Sequence, residues 1–281
     1  MDRIAVILPV YNEAWLIGSV FSQVAEHARV HPGWSYRFVD DGSSDSTEAQ
    51  IRERLSAPDA PANIQLVARK PNSGKAKLIH DAVLAAQEEI ILFTDGDLAY
   101  PLEHLDTLAE KLADCDVAIG SRKLAETSQT NIRVIRRLMG GGFNMLVRML
   151  TGLPYHDTQA GLKGFRRTPA QAIFRRQRVW NFAFDAELLF LAHRLGLRVI
   201  EIPARVSSRH SYKKSKMSLL KDPPKMLFSL LRMRLEHRGA RWNDETPTKE
   251  DSEIQIEVFP EARSRITAET GSVQEQVGVS S

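Results

Sequence analysis

The feature that most constrains this chain is one pattern met five times between Ile4 and Arg122. A short apolar run ends in a cluster of polar residues, and a helical pattern follows each of the first four. The runs are Ile4–Val10 (broken only at Pro9), Tyr36–Val39, Ile64–Ala68, Ile90–Phe93 and Val117–Gly120. They are continuous rather than alternating, which reads as strands buried on both faces. Between them lie apolar spacing at Leu16, Ile17, Val20, Phe21 and Val24, then helical stretches over about Glu48–Leu55, Ala76–Ala86 and Leu102–Ala113. Strand–helix alternation with short connections predicts an α/β fold, a mostly parallel sheet flanked by helices on both faces. In such sheets ligands bind beyond the carboxyl ends of the strands.

The polar clusters fall at those ends: Tyr11-Asn12-Glu13, Asp40 to Asp45, Asn72 to Lys75, Asp95-Gly96-Asp97 and Ser121-Arg122. Asp95 and Asp97 put two carboxylates one glycine apart beside the core, which is costly unless a cation sits between them. Their hard oxygens suit Mg²⁺ or Mn²⁺, ions that bridge protein carboxylates to substrate phosphates. An acidic turn is the plainer reading of the same three residues. No Gly-x-Gly-x-x-Gly follows the first run, which argues against a dinucleotide site. Gly74-Lys75 is not a P-loop, since Arg69 stands where its first glycine belongs and Ala76 where it needs Ser or Thr.

Beyond Arg122 the pattern changes. Residues 123–136 are polar and basic and read as a mobile loop. Leu138–Leu150 is apolar with Gly140 to Gly142, a helix either in the core or at a lipid interface. Asp185 and Glu187 are acids inside an apolar stretch, expected to be paired or functional, with a helix cap as the alternative for Asp185. Val199–Ala204 reads as a last strand. Residues 203–242 carry eleven Lys or Arg against two acids, a density that suits phosphate, an anionic membrane or nucleic acid, or simply a solvated helix. Asp222-Pro223 is a helix start, and Met226, Leu227, Leu230, Leu231 and Leu235 make an apolar stripe after it, for a membrane surface or for the domain itself. Residues 243–281 are acidic and poor in aromatics, and are expected to be a disordered tail. The single Cys115 excludes a disulfide framework and fits a reducing compartment. No secretory signal or membrane-spanning run is expected.

Ile7-Leu8-Pro9-Val10-Tyr11-Asn12-Glu13, Val39 to Asp45, Asn72 to Lys75 and Asp95-Gly96-Asp97 together resemble the family 2 glycosyltransferases of the GT-A fold. Asp157-Thr158-Gln159 through Lys163, Phe184 to Leu189 and Ser215-Lys216 are similar to the dolichyl-phosphate glucosyl- and mannosyltransferases; the first two look closest to the β-glucosyl branch. The resemblance spans about residues 4–242, expected to be one GT-A domain with 203–242 as its basic, membrane-surface segment. It implies an inverting transfer of a hexose from a nucleotide sugar, UDP-glucose favoured, to a polyprenyl or dolichyl phosphate. By position it implies Pro9, Tyr11, Glu13 and Asp41 at the base and ribose, with Asp40, Lys75 and Gly96 in the same nucleotide-sugar site. Asp95 and Asp97 would bind the metal, Mg²⁺ or Mn²⁺, and Arg122 and Lys216 would face phosphates. Asp157 is the candidate base or acceptor-orienting residue, and Asp97 is the other catalytic candidate.

Two departures bear on this. Ala99 stands where the mannosyl branch often has Gln, and Ala76-Lys77 replaces a Gly-rich continuation after Lys75. A GDP-mannose-dependent enzyme and a family 2 enzyme with a soluble or polysaccharide acceptor remain the alternatives. A non-catalytic membrane- or nucleic-acid-binding module is a third reading, against which the acidic constellation argues. The expected partners are the donor, the lipid acceptor and a membrane surface, with no nucleic acid. The expected place is the cytoplasmic face of a membrane, held peripherally.

Overall fold

A computed structural model describes residues 3–125, 144–145, 147–207 and 222–239, with side chains from residue 228 onward in the last segment. Seven strands form one sheet: β1 (Ile4–Val10), β2 (Trp34–Asp40), β3 (Ile64–Ala68), β4 (Ile90–Thr94), β5 (Val117–Ser121), β6 (Leu162–Arg166) and β7 (Val199–Pro203), in the order β3-β2-β1-β4-β6-β5-β7. All neighbours run parallel except β6, which is antiparallel to both β4 and β5. The helices are α1 (Ile17–Val30), α2 (Thr47–Leu55), α3 (Lys75–Ala85), α4 (Glu103–Lys111), α5 (Arg167–Phe174), α6 (Phe184–Arg194) and α7 (Asp222–Glu236).

The continuous apolar runs have a direct explanation. In β1, Ile4, Val6, Leu8 and Val10 enter one core with α1, α2 and α4, while Ala5 and Ile7 enter the other with α3, α5 and α6. Successive side chains of a strand point to opposite faces, so a sheet covered on both faces demands apolar residues at every position.

The mostly parallel architecture is as expected, and the first five strands stand where the sequence places them. The expectation omitted β6 and α5. β6 reads Leu-Lys-Gly-Phe-Arg, with a charge and a glycine in the middle of it. Lys163 is fully buried there because Asp185 of α6 accepts from its ammonium at 2.5 Å and the Ala160 carbonyl does so at the same distance. A partner 22 residues away thus makes a central strand out of a sequence with no strand-like run.

Glu187 is the second buried acid, and it is structural. It accepts from the backbone N–H groups of Arg178 and Val179 and pairs with His237 Nε2 at 2.8 Å, tying the end of α7 to the domain. The stripe expected on α7 divides. Leu230 and Met233 pack inward, but Leu231 and Leu235 face out together with Phe228. Met226 and Leu227 are outside the described side chains. The expected loop over 123–136 beyond residue 125, Lys216 and the tail lie outside the described residues.

Candidate active site

Strand order reverses between β1 and β4, since β2 and β3 continue to one side and β6, β5 and β7 to the other. At this switch point two adjacent strands send their following loops apart and leave a crevice at their carboxyl ends. Tyr11 to Glu13 leaves β1 there, Asp95 to Asp97 leaves β4, and the Asp40 cluster leaves β2 alongside.

Gly96 is required by contact. A Cβ at this position would meet the Pro9 carbonyl oxygen at 2.0 Å, so the β4 turn lies directly against the end of β1. Asp97 then fixes the turn from within: its Oδ1 accepts from the Ala99 N–H at 3.1 Å, and the Asp95 carbonyl accepts from the Leu98 N–H at 2.9 Å. Leu98 sits at φ 49°, a left-handed conformation that a γ-branched residue adopts only under constraint. Gly161, next to β6, packs on Asp95 itself; a Cβ there would lie 2.4 Å from the carboxylate. Asp95 and Asp97 are half-buried.

Asp95 receives an ion pair from Lys75, the first residue of α3. Burial opposes the ammonium, but Asp95, Asp185 and Asp97 outweigh it and hold its pKa above the ordinary lysine value. The loop before α3 is set by Asp41, 3% exposed, whose two oxygens accept from the N–H groups of Ser73 and Gly74, each at 2.8 Å. Asp40 is fully buried and accepts from the Ser43 N–H at 2.9 Å; burial pushes its pKa up. Glu13 is buried, and its backbone N–H donates to Thr47 Oγ1 at 2.8 Å, joining the β1 loop to α2. Tyr11 is exposed at the crevice edge.

Arg122 follows β5 and meets Asp157 in a two-pronged pair, Nε to Oδ2 at 2.7 Å and Nη2 to Oδ1 at 2.9 Å. The Arg122 N–H also donates to Oδ2. Burial alone would raise the Asp157 pKa, but Arg122 holds it below the usual carboxylate value. Both Asp157 oxygens thus accept from Arg122, and Oδ1 also accepts from the Gln159 N–H at 3.1 Å, so the acid expected as a base or acceptor-orienting residue is engaged by the chain itself. Glu201 of β7 grips the same loop from behind, accepting from the His156 N–H at 2.9 Å and the Asp157 N–H at 3.2 Å. The Asp95 charge also acts on Arg122, so the two groups share one field.

Of the residues singled out in the sequence, Pro9, Tyr11, Glu13, Asp40, Asp41, Lys75, Asp95, Gly96, Asp97, Arg122 and Asp157 gather along this rim. Sequence reasoning missed Gly161, whose role is visible only in its approach to Asp95, and the Lys163–Asp185 pair beneath the site. Asp185 was marked as an acid inside an apolar stretch, whereas Lys163 entered only as the end of the stretch that resembles the family, with no role given to it.

The family description "Glycosyl transferase family 2" matches residues 5–174. A dolichyl-phosphate β-glucosyltransferase of Drosophila melanogaster is 30% identical over 217 residues, which cover 72% of this chain and 66% of that protein. A dolichyl-phosphate β-glucosyltransferase of Trichomonas vaginalis is 27% identical over 250 residues, covering 84% and 72%. Among solved structures, glucosyl-3-phosphoglycerate synthase from Mycobacterium tuberculosis, with Mn²⁺, UDP-glucose and phosphoglyceric acid, matches with a TM-score of 0.58. That match has 17% identity over 85% of this chain and 80% of that one, a likeness of fold.

Proposed function

This chain belongs to glycosyl transferase family 2, and from that premise we propose that it moves glucose from UDP-glucose to a dolichyl or other polyprenyl phosphate, with inversion at the anomeric carbon. The observation that carries this reading is the joint placement of Asp95, Asp97, Lys75 and the Asp157-held Arg122 at the carboxyl rim of β1, β4 and β5.

The donor set at β4 fits a divalent cation: two half-buried carboxylates on one turn, with Gly161 keeping the approach to the Asp95 carboxylate free of a Cβ. Asp95 and Asp97 would hold Mg²⁺ or Mn²⁺, which when bound neutralises charge on a departing diphosphate. The mycobacterial synthase of like fold holds Mn²⁺ together with UDP-glucose, which supports a divalent ion for the proposed reaction. Lys75, paired with Asp95, places a further positive charge beside the same turn. Arg122, a planar fork already oriented by Asp157, suits the phosphate oxygens of the leaving nucleotide. Asp41 and Asp40 would serve the nucleotide side of the site through the loops they hold, with exposed Tyr11 and the neighbouring Pro9 and Glu13 assigned to the base and ribose. A phosphate monoester acceptor is already anionic near neutral pH, so it needs positioning more than a base. That agrees with the engagement of Asp157 by Arg122. Lys216 is assigned to a phosphate by resemblance alone.

Acceptor lipids imply a membrane surface. No helix among the described residues is long and apolar enough to cross one. Two exposed apolar groups adjoin instead: Met145 and Met149, and Phe228, Leu231 and Leu235 of α7, linked where Arg234 donates to the Leu150 carbonyl at 2.5 Å. This face supports peripheral contact with an anionic bilayer.

The test is a panel of radiolabelled nucleotide sugars offered with a short polyprenyl phosphate and Mn²⁺, scored by solvent partition. Label from UDP-glucose in the lipid phase is expected. Label from GDP-mannose only would reassign the donor, and water-soluble product without lipid product would reassign the acceptor.

A further inference from the structure

On the layer that packs α1 against α4, three ligating side chains converge that no part of the transfer site uses. His27 and His31 stand one helical turn apart at the end of α1, and Asp106 reaches them from α4. The Asp106 Oδ1 lies 3.4 Å from His27 Nε2 and 3.0 Å from His31 Nε2, and the three ligating atoms all fall within 4.8 Å of one another. Ligands about 2.0–2.2 Å from a tetrahedral Zn²⁺ are separated by distances of this size.

Two details distinguish the cluster from an ordinary ion pair. His27 Nε2 and Asp106 Oδ1 are both buried at the atom level and lie in ion-pair range, with Oδ1 also facing His31 Nε2, yet neither atom completes a well-aligned hydrogen bond. Three ligating atoms converging with poor hydrogen-bond alignment suit a cation between them better than a direct hydrogen bond. The rings are also held in place from behind. His27 Nδ1 is 2.6 Å from Tyr36 Oη, which leaves Nε2 as the nitrogen turned to Asp106. Trp34 lies over His31 with ring centroids 4.5 Å apart, and His27 meets Tyr36 edge-on at 5.7 Å. A hydrogen bond on the far ring nitrogen is the usual way a metal-binding imidazole is oriented.

We propose that His27, His31 and Asp106 form a transition-metal site for Zn²⁺, separate from the Asp95–Asp97 pair. Two imidazoles and one carboxylate suit Zn²⁺ over Mg²⁺, which prefers oxygen ligands throughout. Asp106 is 43% exposed, so solvent reaches the cluster and water completes the coordination. The site lies at the amino end of β2, whereas the donor crevice lies at its carboxyl end, about 20 Å away at the ordinary rise per residue. Its effect is to cross-link α1 to α4.

The experiment uses the full chain with excess Mg²⁺ present, so that the two acids at β4 are occupied. Zn²⁺ and Co²⁺ are titrated in turn, reading stoichiometry by calorimetry, the Co²⁺ visible spectrum and the quenching of Trp34 emission. One equivalent of Zn²⁺ is expected to bind, with intense tetrahedral-type Co²⁺ bands and a rise in melting temperature. His31→Ala, at a site that is not fully buried, and Asp106→Asn should each weaken Zn²⁺ binding about tenfold or more. Asp97→Asn should leave it unchanged, and Trp34→Phe should remove the quenching but keep the binding. The absence of stoichiometric Zn²⁺ binding, or equal binding by His31→Ala and the unaltered chain, would overturn the site. So would a loss of binding in Asp97→Asn.

Discussion

Arg122 and Asp157 stand 35 residues apart in the chain and meet as a two-pronged ion pair, 2.7 and 2.9 Å, at the open rim of the sheet. Each end is separately anchored: Arg122 follows β5, and the loop of Asp157 is held by Glu201 of β7. The pair joins the end of β5 to the loop of Asp157 and fixes the guanidinium at the rim. Asp157→Asn keeps the shape and removes the charge. It should lower transfer about tenfold to a hundredfold by loosening Arg122, and Arg122→Lys should do the same because an ammonium lacks the fork. Steady-state kinetics on the two variants and their double mutant test this; additive losses would show that the two side chains do not act as a unit.

Asp157 also makes a pH prediction. Arg122 holds its pKa below the unfolded value of about 3.9. With the folded pKa depressed, the stabilisation is complete above the unfolded value and is lost as pH falls through the folded one. Asp157 therefore stays ionised throughout the neutral range. The pH profile of transfer should show no acid limb from this residue between about pH 5 and 8. An acid limb in that window that Asp157→Asn removes would restore Asp157 as a base.

Gly161 and Gly96 separate site from fold. A Cβ at 161 would press on the Asp95 carboxylate at 2.4 Å, the movable end of a side chain. Gly161→Ala should keep its melting temperature within a few degrees yet require far more Mn²⁺ for activity. A Cβ at 96 meets the Pro9 carbonyl at 2.0 Å, which is backbone. Gly96→Ala should lose stability as well as activity. Chelation of the unaltered enzyme should stop transfer, and added Mn²⁺ should restore it; metal titrations and thermal melts on the same preparations give both readouts.

Lys163 is wholly buried against Asp185. Lys163→Met strands a buried carboxylate and should cost about 3–5 kcal/mol, whereas Lys163→Met with Asp185→Leu should recover much of that loss. Urea denaturation of the single and double variants decides it. A single variant as stable as the parent would show the pair to be dispensable to the fold.

The outward face of α7 predicts membrane behaviour. Leu231→Asp and Leu235→Asp alter exposed positions, so the melting temperature should hold while flotation with anionic vesicles falls. Met233→Asp, at a fully buried position on the same helix, should unfold α7 from the domain instead. Undiminished flotation in both leucine variants would remove this face from the membrane contact.

The first five strands, the helices between them and the acidic turn at β4 were legible in the sequence because each depends on neighbours in the chain. Apolar runs, helical spacing and turn chemistry are local properties, and a sheet covered on both faces writes itself as uninterrupted apolar residues. The resemblance to family 2 glycosyltransferases rested on those same local stretches. β6 was illegible, because Lys163 becomes a strand residue only once Asp185 neutralises it. The same holds for Gly161 against Asp95, Asp157 against Arg122, and the division of the α7 stripe into a packed and an open side. These are decided by groups brought together from distant parts of the chain, where burial sets the cost of every charge and a partner's position determines whether that cost is met.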